Sequence, residues 1–360
     1  MAQDSDALPT AVQVVLPAPD LDDSIGFFRD QLGFRLEMIF PADAPRVAIM
    51  SGAEMTIRLD KGLRPTGEAP IDSLEVLKAL ASEQIHGASA PRIDLATPDD
   101  PVDIPPLRPA QTLMPPADRS DWSTGRAGMQ YRDLIPGRLG GAVIASHIRI
   151  PEGGPVPDYV HHHHVRFQLI YCLRGWVRLV YEDQGSPFVM QAGDCVLQPP
   201  HIRHQVLECS DGFEVVEVGC PAEHQTLVDH AMTLPTARHR PTRDFSGQRF
   251  VWHQAAETPW IVDGSLEVRD SGISVASGGA VNVRACRTVA GDDIAFRQSR
   301  PFYFGFVLEG SGRLRAGTEP FEAIPNASYV IPPGVDCKFD ALSADFSWLE
   351  VTADLDAANP

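Results

Sequence analysis

The sequence predicts a mainly β protein, with two small β-barrels in tandem preceded by a compact α+β module of order βαβββ. Three observations lead there. From residue 128 onward the apolar runs are short, rich in β-branched and aromatic residues, and punctuated by Gly, Pro and Asp, as an all-β barrel requires. Two histidine clusters, at 161–164 and 201–204, fall on stretches that read as separate strands. The second half of the chain also repeats the first. Arg132-Asp133 recurs as Arg269-Asp270, Gly140-Gly141-Ala142-Val143 as Gly278-Gly279-Ala280-Val281, Arg149 as Arg287, Cys172-Leu173-Arg174-Gly175 as Val307-Leu308-Glu309-Gly310, and Pro199-Pro200 as Pro332-Pro333.

In chain order, the expected segments are a module at 9–61, a Pro-rich linker at 62–120, a metal-binding barrel at 121–235 and a second barrel without metal ligands at 236–355. In the module, Val12, Val14 and Leu16 alternate as a strand, and Asp20 to Ser24 turn into a helix. That helix buries Ile25, Phe27, Phe28 and Leu32 and stops at Gly33. Strand-like runs follow at 35–40, 46–51 and 54–59. In the linker, Pro98, Pro101, Pro105 and Pro106 oppose regular structure, apart from a possible short helix at 74–83. The first barrel then reads as strands near 142–150, 168–173, 176–182, 188–191, 194–198 and 205–218, with a hairpin loop at Asp183-Gln184-Gly185-Ser186.

The chemistry concentrates between His161 and His204. Histidine is the commonest side-chain metal ligand, and two histidines one residue apart on an extended strand point the same way. A third on another strand would leave coordination positions open. An internal run of four histidines is neither terminal nor long enough for a purification tag.

These residues resemble the two motifs of the cupins. His161-x-His163, a gap of four, Gln168, a gap of six and Gly175 follow the first motif; Gly193, Pro199, His201, His204 and Glu208 fall at the spacings of the second. In three places the sequence departs from the family: Gln168 stands where the motif has an acidic ligand, His201 where it has Gly, and Glu208 where it has Asn. His162 and His164, with a gap of three to Gln168, also satisfy the first motif, so the register stays open, with His161 and His163 preferred. The resemblance implies two tandem cupin barrels, with His161, His163 and His204 as ligands and Gln168 as a weak fourth through its amide oxygen. In the second copy the matching positions hold Phe296, Gln298, Tyr303 and Cys337, which would not retain a metal. Residues 11–60 resemble one module of the vicinal-oxygen-chelate (glyoxalase and bleomycin-resistance) family through Leu16, Asp20-Leu21, Ser24, Phe27-Phe28-Arg29 and Leu32-Gly33-Phe34. That family's metal positions carry Gln13 and Arg58 here, which points to a structural or dimerising role.

A neutral three-histidine set suits Fe(II), Zn, Ni or Mn better than Mg or Ca, which prefer oxygen shells. The resemblance implies an Fe(II)-dependent dioxygenase acting on a diketone, hydroxy-ketone or phenolic acid. A non-redox isomerase, lyase or hydrolase and a non-catalytic ligand-binding barrel are the alternatives. Glu208 is a candidate acid/base, because four residues after His204 it would share a strand face with it; Arg166 is a candidate binder of a substrate carboxylate. A net charge of -18 opposes binding to nucleic acid or anionic membranes. The acidic N-terminus, the lack of a membrane-length apolar run and six scattered cysteines predict a cytoplasmic protein with reduced thiols, and the module predicts a homodimer.

Overall fold

The computed structural model describes residues 13–52, 55–63, 101–118, 121–289, 293–317 and 319–355. The helix expected at 74–83 lies outside them. The chain divides into two compact units, 1–41 with 45–96 and 42–44 with 97–360.

In the first unit, Asp20 caps the helix Leu21–Gly26 by accepting the Asp23 N–H at 3.0 Å. A π-helical turn, Phe27–Gln31, extends that helix, and Gly33 ends it at φ +72, a left-handed conformation that costs glycine little. Leu21, Ile25 and Phe28 are buried against Ala48, Met50, Ile57 and Leu59. The strand Gln13–Pro17 pairs in parallel with Met55–Asp60, which runs antiparallel to Val47–Gly52, itself antiparallel to Arg35–Phe40. The buried Arg58 guanidinium is paired with Asp60.

The second unit contains two sandwiches, each made of two antiparallel sheets. One sheet of the first sandwich runs Thr226–Val228, His161–His163, His204–Cys209, Trp176–Tyr181, Phe188–Gln191. Facing it is the order Val251–His253, Cys195–Gln198, Phe167–Arg174, Phe213–Cys220, Ile144–Ile150, Gln130–Asp133, Ser123–Thr124. Val177, Leu179 and Met190 from one sheet meet Ile148, Val196 and Val215 from the other. The second sandwich repeats the plan and is filled by Tyr303, Tyr329, Phe339, Phe346 and Trp348. Gly305 is required there: a Cβ at that position would lie 2.0 Å from the Tyr329 ring.

The two sandwiches share a seam. Leu169, Val216 and Val218 on the back of the first pack with Phe304, Phe306, Leu349 and Val351 on the back of the second. Each such side chain contributes about 1.5–3 kcal/mol by leaving water. The segments also exchange edges, which shifts the boundaries expected from sequence. Thr112–Met114, inside the Pro-rich stretch, pairs with Ser328–Val330 of the second sandwich. Val251–His253, beyond residue 235, pairs with Cys195–Gln198 of the first. Short strands between prolines are hard to read because a sheet edge needs only one side of the backbone for pairing. All six cysteines are buried and free. Among the described residues, no helix is long and apolar enough to cross a membrane.

Candidate metal centre

The strand His161–His163 runs antiparallel to His204–Cys209, with His161 directly opposite His204. Alternation then puts His163 on the same face as His161. The three rings converge: centroids are 4.2 Å apart for His161 and His204, 5.1 Å for His161 and His163, and 5.2 Å for His163 and His204. One ligand atom from each lies within 4.8 Å of the other two, and all three residues are buried. The opposite register is not the convergent one: His162 alternates to the other face of the strand, and the rings of His162 and of His164, just past the strand's end, both lie beside His201.

Hydrogen bonds fix which nitrogen faces inward. His161 Nδ1 lies 2.8 Å from the Tyr159 carbonyl, His204 Nδ1 3.0 Å from the Ile202 carbonyl, and His163 Nδ1 3.0 Å from Thr226 Oγ1. Carbonyl oxygens only accept, so Nδ1 carries the proton in His161 and His204 and Nε2 keeps its lone pair. Thr226 can play the same part for His163. Burial holds His204 down at about 4, and burial above all, with neighbouring cationic groups, keeps His161 and His163 well below the ordinary histidine value. The set is therefore neutral at physiological pH.

Gln168 lies across the cavity, on the strand Phe167–Arg174 of the facing sheet, and is buried at 1% exposure. Its amide N–H end bonds Glu217, whereas its Oε1 has no hydrogen-bond partner. A buried acceptor of this kind is costly unless something engages it. Gln168, His163, His204 and Glu217 line one cavity whose walls are Ile148, Ile170, Leu179, Met190 and Phe213. A neutral imidazole trio with an orphaned amide oxygen in the same cavity fits a borderline divalent ion.

Three charged groups here, Arg126, Asp158 and Glu217, escape a sequence reading. Arg126, between the strands Ser123–Thr124 and Gln130–Asp133, forms a buried pair with Asp158, and its Nη2 lies 3.2 Å from His161 Nε2. Burial alone would raise the Asp158 carboxyl, but Arg126, with His161 and the Val206 N–H, holds it at about 2. Glu217 is pushed up to about 7 by burial, aided by Asp43 and opposed by Arg126 and the Gln168 amide. Its counterpart is Glu350: the repeat Phe-x-x-x-Glu-Val at 213–218 and 346–351 is the sequence signal that could have found it. Opposite Glu217 on the neighbouring strand stands Ser146, whereas opposite Glu350 stands Arg284, which donates to Glu350 at 2.5 Å. Only the second glutamate has a cross-strand cation. His224 also lines the cavity, its ring centroid 5.4 Å from that of His163.

Two candidates from sequence lie elsewhere. Glu208 pairs with Arg178 at 2.8 Å, with side chains 36% and 40% exposed, away from the trio. The cause is a β-bulge: Arg178 pairs with Glu208 but Leu179 with Val206, so Leu207 is an extra residue and the alternation flips. Arg166 is buried but points away, its Nη1 donating to the Leu355 carbonyl at 3.2 Å. It sits at a bend before the strand begins at Phe167, where alternation does not apply.

In the second sandwich, Phe296 pairs with Cys337 as His161 pairs with His204. Gln298 Nε2 donates to the Arg300 and Ile331 carbonyls at 2.7 and 2.8 Å, and Tyr303 donates to Glu350 at 2.9 Å. The same frame is thus occupied by core and hydrogen-bonding groups already engaged with one another.

Residues 146–218 match the family model described as the cupin domain. No curated protein matches the sequence. Solved structures similar to the chain include salicylate 1,2-dioxygenase from Pseudaminobacter salicylatoxidans, at 16% identity and TM-score 0.47, covering 59% of this chain and 71% of that one. Oxalate decarboxylase from Bacillus subtilis gives 12% identity and TM-score 0.49 over 75% and 86% of the two chains. Protein Ylba from E. coli gives 10% and 0.49 over 73% and 97%. Likeness at this level speaks to neither substrate nor reaction. The histidine trio lies within the stretch that matches the cupin domain.

Proposed function

We propose that this chain is a tandem-cupin enzyme in which the first barrel is the catalytic one, an Fe(II)-dependent dioxygenase. Its substrate would be a small oxygenated molecule such as a diketone, hydroxy-ketone or phenolic acid. The observation that carries the reading is the set of three converging neutral imidazoles, two of which, His163 and His204, line a largely apolar cavity that also holds the unpartnered Gln168 oxygen. Bound Fe(II) would supply open coordination positions and a route for electrons to O₂.

The remaining work falls to the chain's own groups. His161, His163 and His204 would hold the ion through Nε2, each ring oriented by its Nδ1 contact. Gln168 offers its oxygen, while Glu217 holds the N–H end of the amide and so sets which end faces the histidines. Arg126, anchored by Asp158, places a cation at the cavity wall, where an anionic oxygen of the substrate would be stabilised. Ile148, Ile170, Leu179, Met190 and Phe213 exclude water and favour an apolar substrate body. For the N-terminal module, we propose a structural, self-associating role.

The test is metal content of untagged protein, followed by an oxygen electrode with diketones, hydroxy-ketones and phenolic acids. Iron with substrate-dependent uptake, lost in His204→Gln, supports the proposal. Zinc with turnover but no oxygen uptake would overturn it in favour of Lewis-acid chemistry.

A further inference from the structure

The four-histidine run has two faces, and only one points into the cavity. His162 and His164 alternate with the inner ligands and emerge on the other side of the strand, where His201 meets them. The His162 and His201 ring centroids are 5.3 Å apart, and those of His164 and His201 are 5.1 Å apart. These separations match the inner trio's widest pairs, 5.1 and 5.2 Å. The two nitrogens that face each other, Nδ1 of His162 and Nδ1 of His201, are 3.3 Å apart. Two nitrogens on one tetrahedral zinc, each about 2.0–2.1 Å from it, are separated by about 3.3 Å. A simple hydrogen bond between the two rings also fits that distance, so the backbone at His201 matters.

His201 sits at φ +59, in the left-handed region, at the position where the second cupin motif carries Gly. A non-glycine residue there is disfavoured, and such strain persists where the surroundings use it. Glycine would fit this turn without strain, yet the chain places an imidazole there, buried at 6% exposure against the equally buried His162. We propose that His162, His201 and His164 form a second metal site on the outer face of this strand, for a borderline divalent ion such as Zn²⁺ or Ni²⁺. Imidazole ligands select such ions over Mg²⁺ or Ca²⁺. Among the described residues, only the inner trio already has its ligand atoms within 4.8 Å of one another. The outer one would close by rotation of the His164 ring, which is only partly buried. The Arg203 guanidinium nearby is paired with Asp229 at 3.1 Å, which offsets its repulsion of a cation.

The two sites lie back to back on four residues of backbone, so they can be separated by mutation. The variant is His201→Gly, which removes an outer ligand and relieves the left-handed strain, so the fold is kept. Untagged, metal-stripped chain is dialysed against Zn²⁺, and zinc per chain is measured by mass spectrometry, with circular dichroism as the control for folding. The wild type should take up two equivalents and H201G one. The double variant H201G with H204Q should take up none. Equal zinc content in the wild type and H201G would overturn the proposal.

Discussion

Acidifying the metal-free chain should weaken the histidine-bearing sandwich through its buried imidazoles, and His204 allows the size of the effect to be worked out. Burial holds it at about 4, against an ordinary value of 6.5. The unfolded chain therefore binds a proton at this position well before the folded chain does, and stability must fall as pH drops from 6.5 through 4. Between pH 7.5 and pH 5 the linkage integral for this one group is about 2 kcal/mol, rising toward about 3 kcal/mol below pH 4. His161 and His163 shift in the same direction, so the total loss is larger. The comparison that isolates His204 is His204→Gln, which keeps a neutral polar side chain and cannot titrate. Hydrogen exchange in increasing denaturant, followed on peptides covering 161–163 and 204–209, reports on this sandwich without averaging over the other unit. The wild type should lose about 2 kcal/mol more than H204Q between the two pH values. Equal losses would refute the claim that His204 is kept neutral by burial.

Thr226→Val removes the oxygen that faces His163 Nδ1 and changes the volume little, so metal affinity should fall about tenfold in a chelator competition. Glu208→Gln should leave metal affinity and any turnover within about twofold, because an exposed ion pair of this kind contributes about 0–1 kcal/mol to stability and nothing to the cavity. Gly305→Ala should destabilise the second sandwich by about 3 kcal/mol in urea unfolding, since the new methyl would occupy the space of the Tyr329 ring.

The sequence was most informative where alternation and spacing act alone. The period-2 rule is enough to bring His161 and His163 to one face, and the distant His204 meets them because antiparallel pairing places it opposite His161. The same rule misplaced Glu208, because one inserted residue at Leu207 reverses the parity and nothing in the local sequence announces a bulge. Arg126 and Thr226 were illegible for a different reason. Each reaches the site from a separate strand or turn, and such convergence depends on three-dimensional closure rather than on spacing. Glu217 lay between these cases, visible in the repeat with Glu350 but not in any motif.

The seam between the two sandwiches bears on what the second one contributes to the first. Leu169, Val216 and Val218 form the rear wall of the histidine-bearing half, and Phe304, Phe306, Leu349 and Val351 are what they lie against. A chain shortened to the histidine-bearing sandwich would turn that wall outward as a bare oily plane, an invitation to clumping. The second sandwich thus serves as a backing fused in place, which keeps that wall out of water.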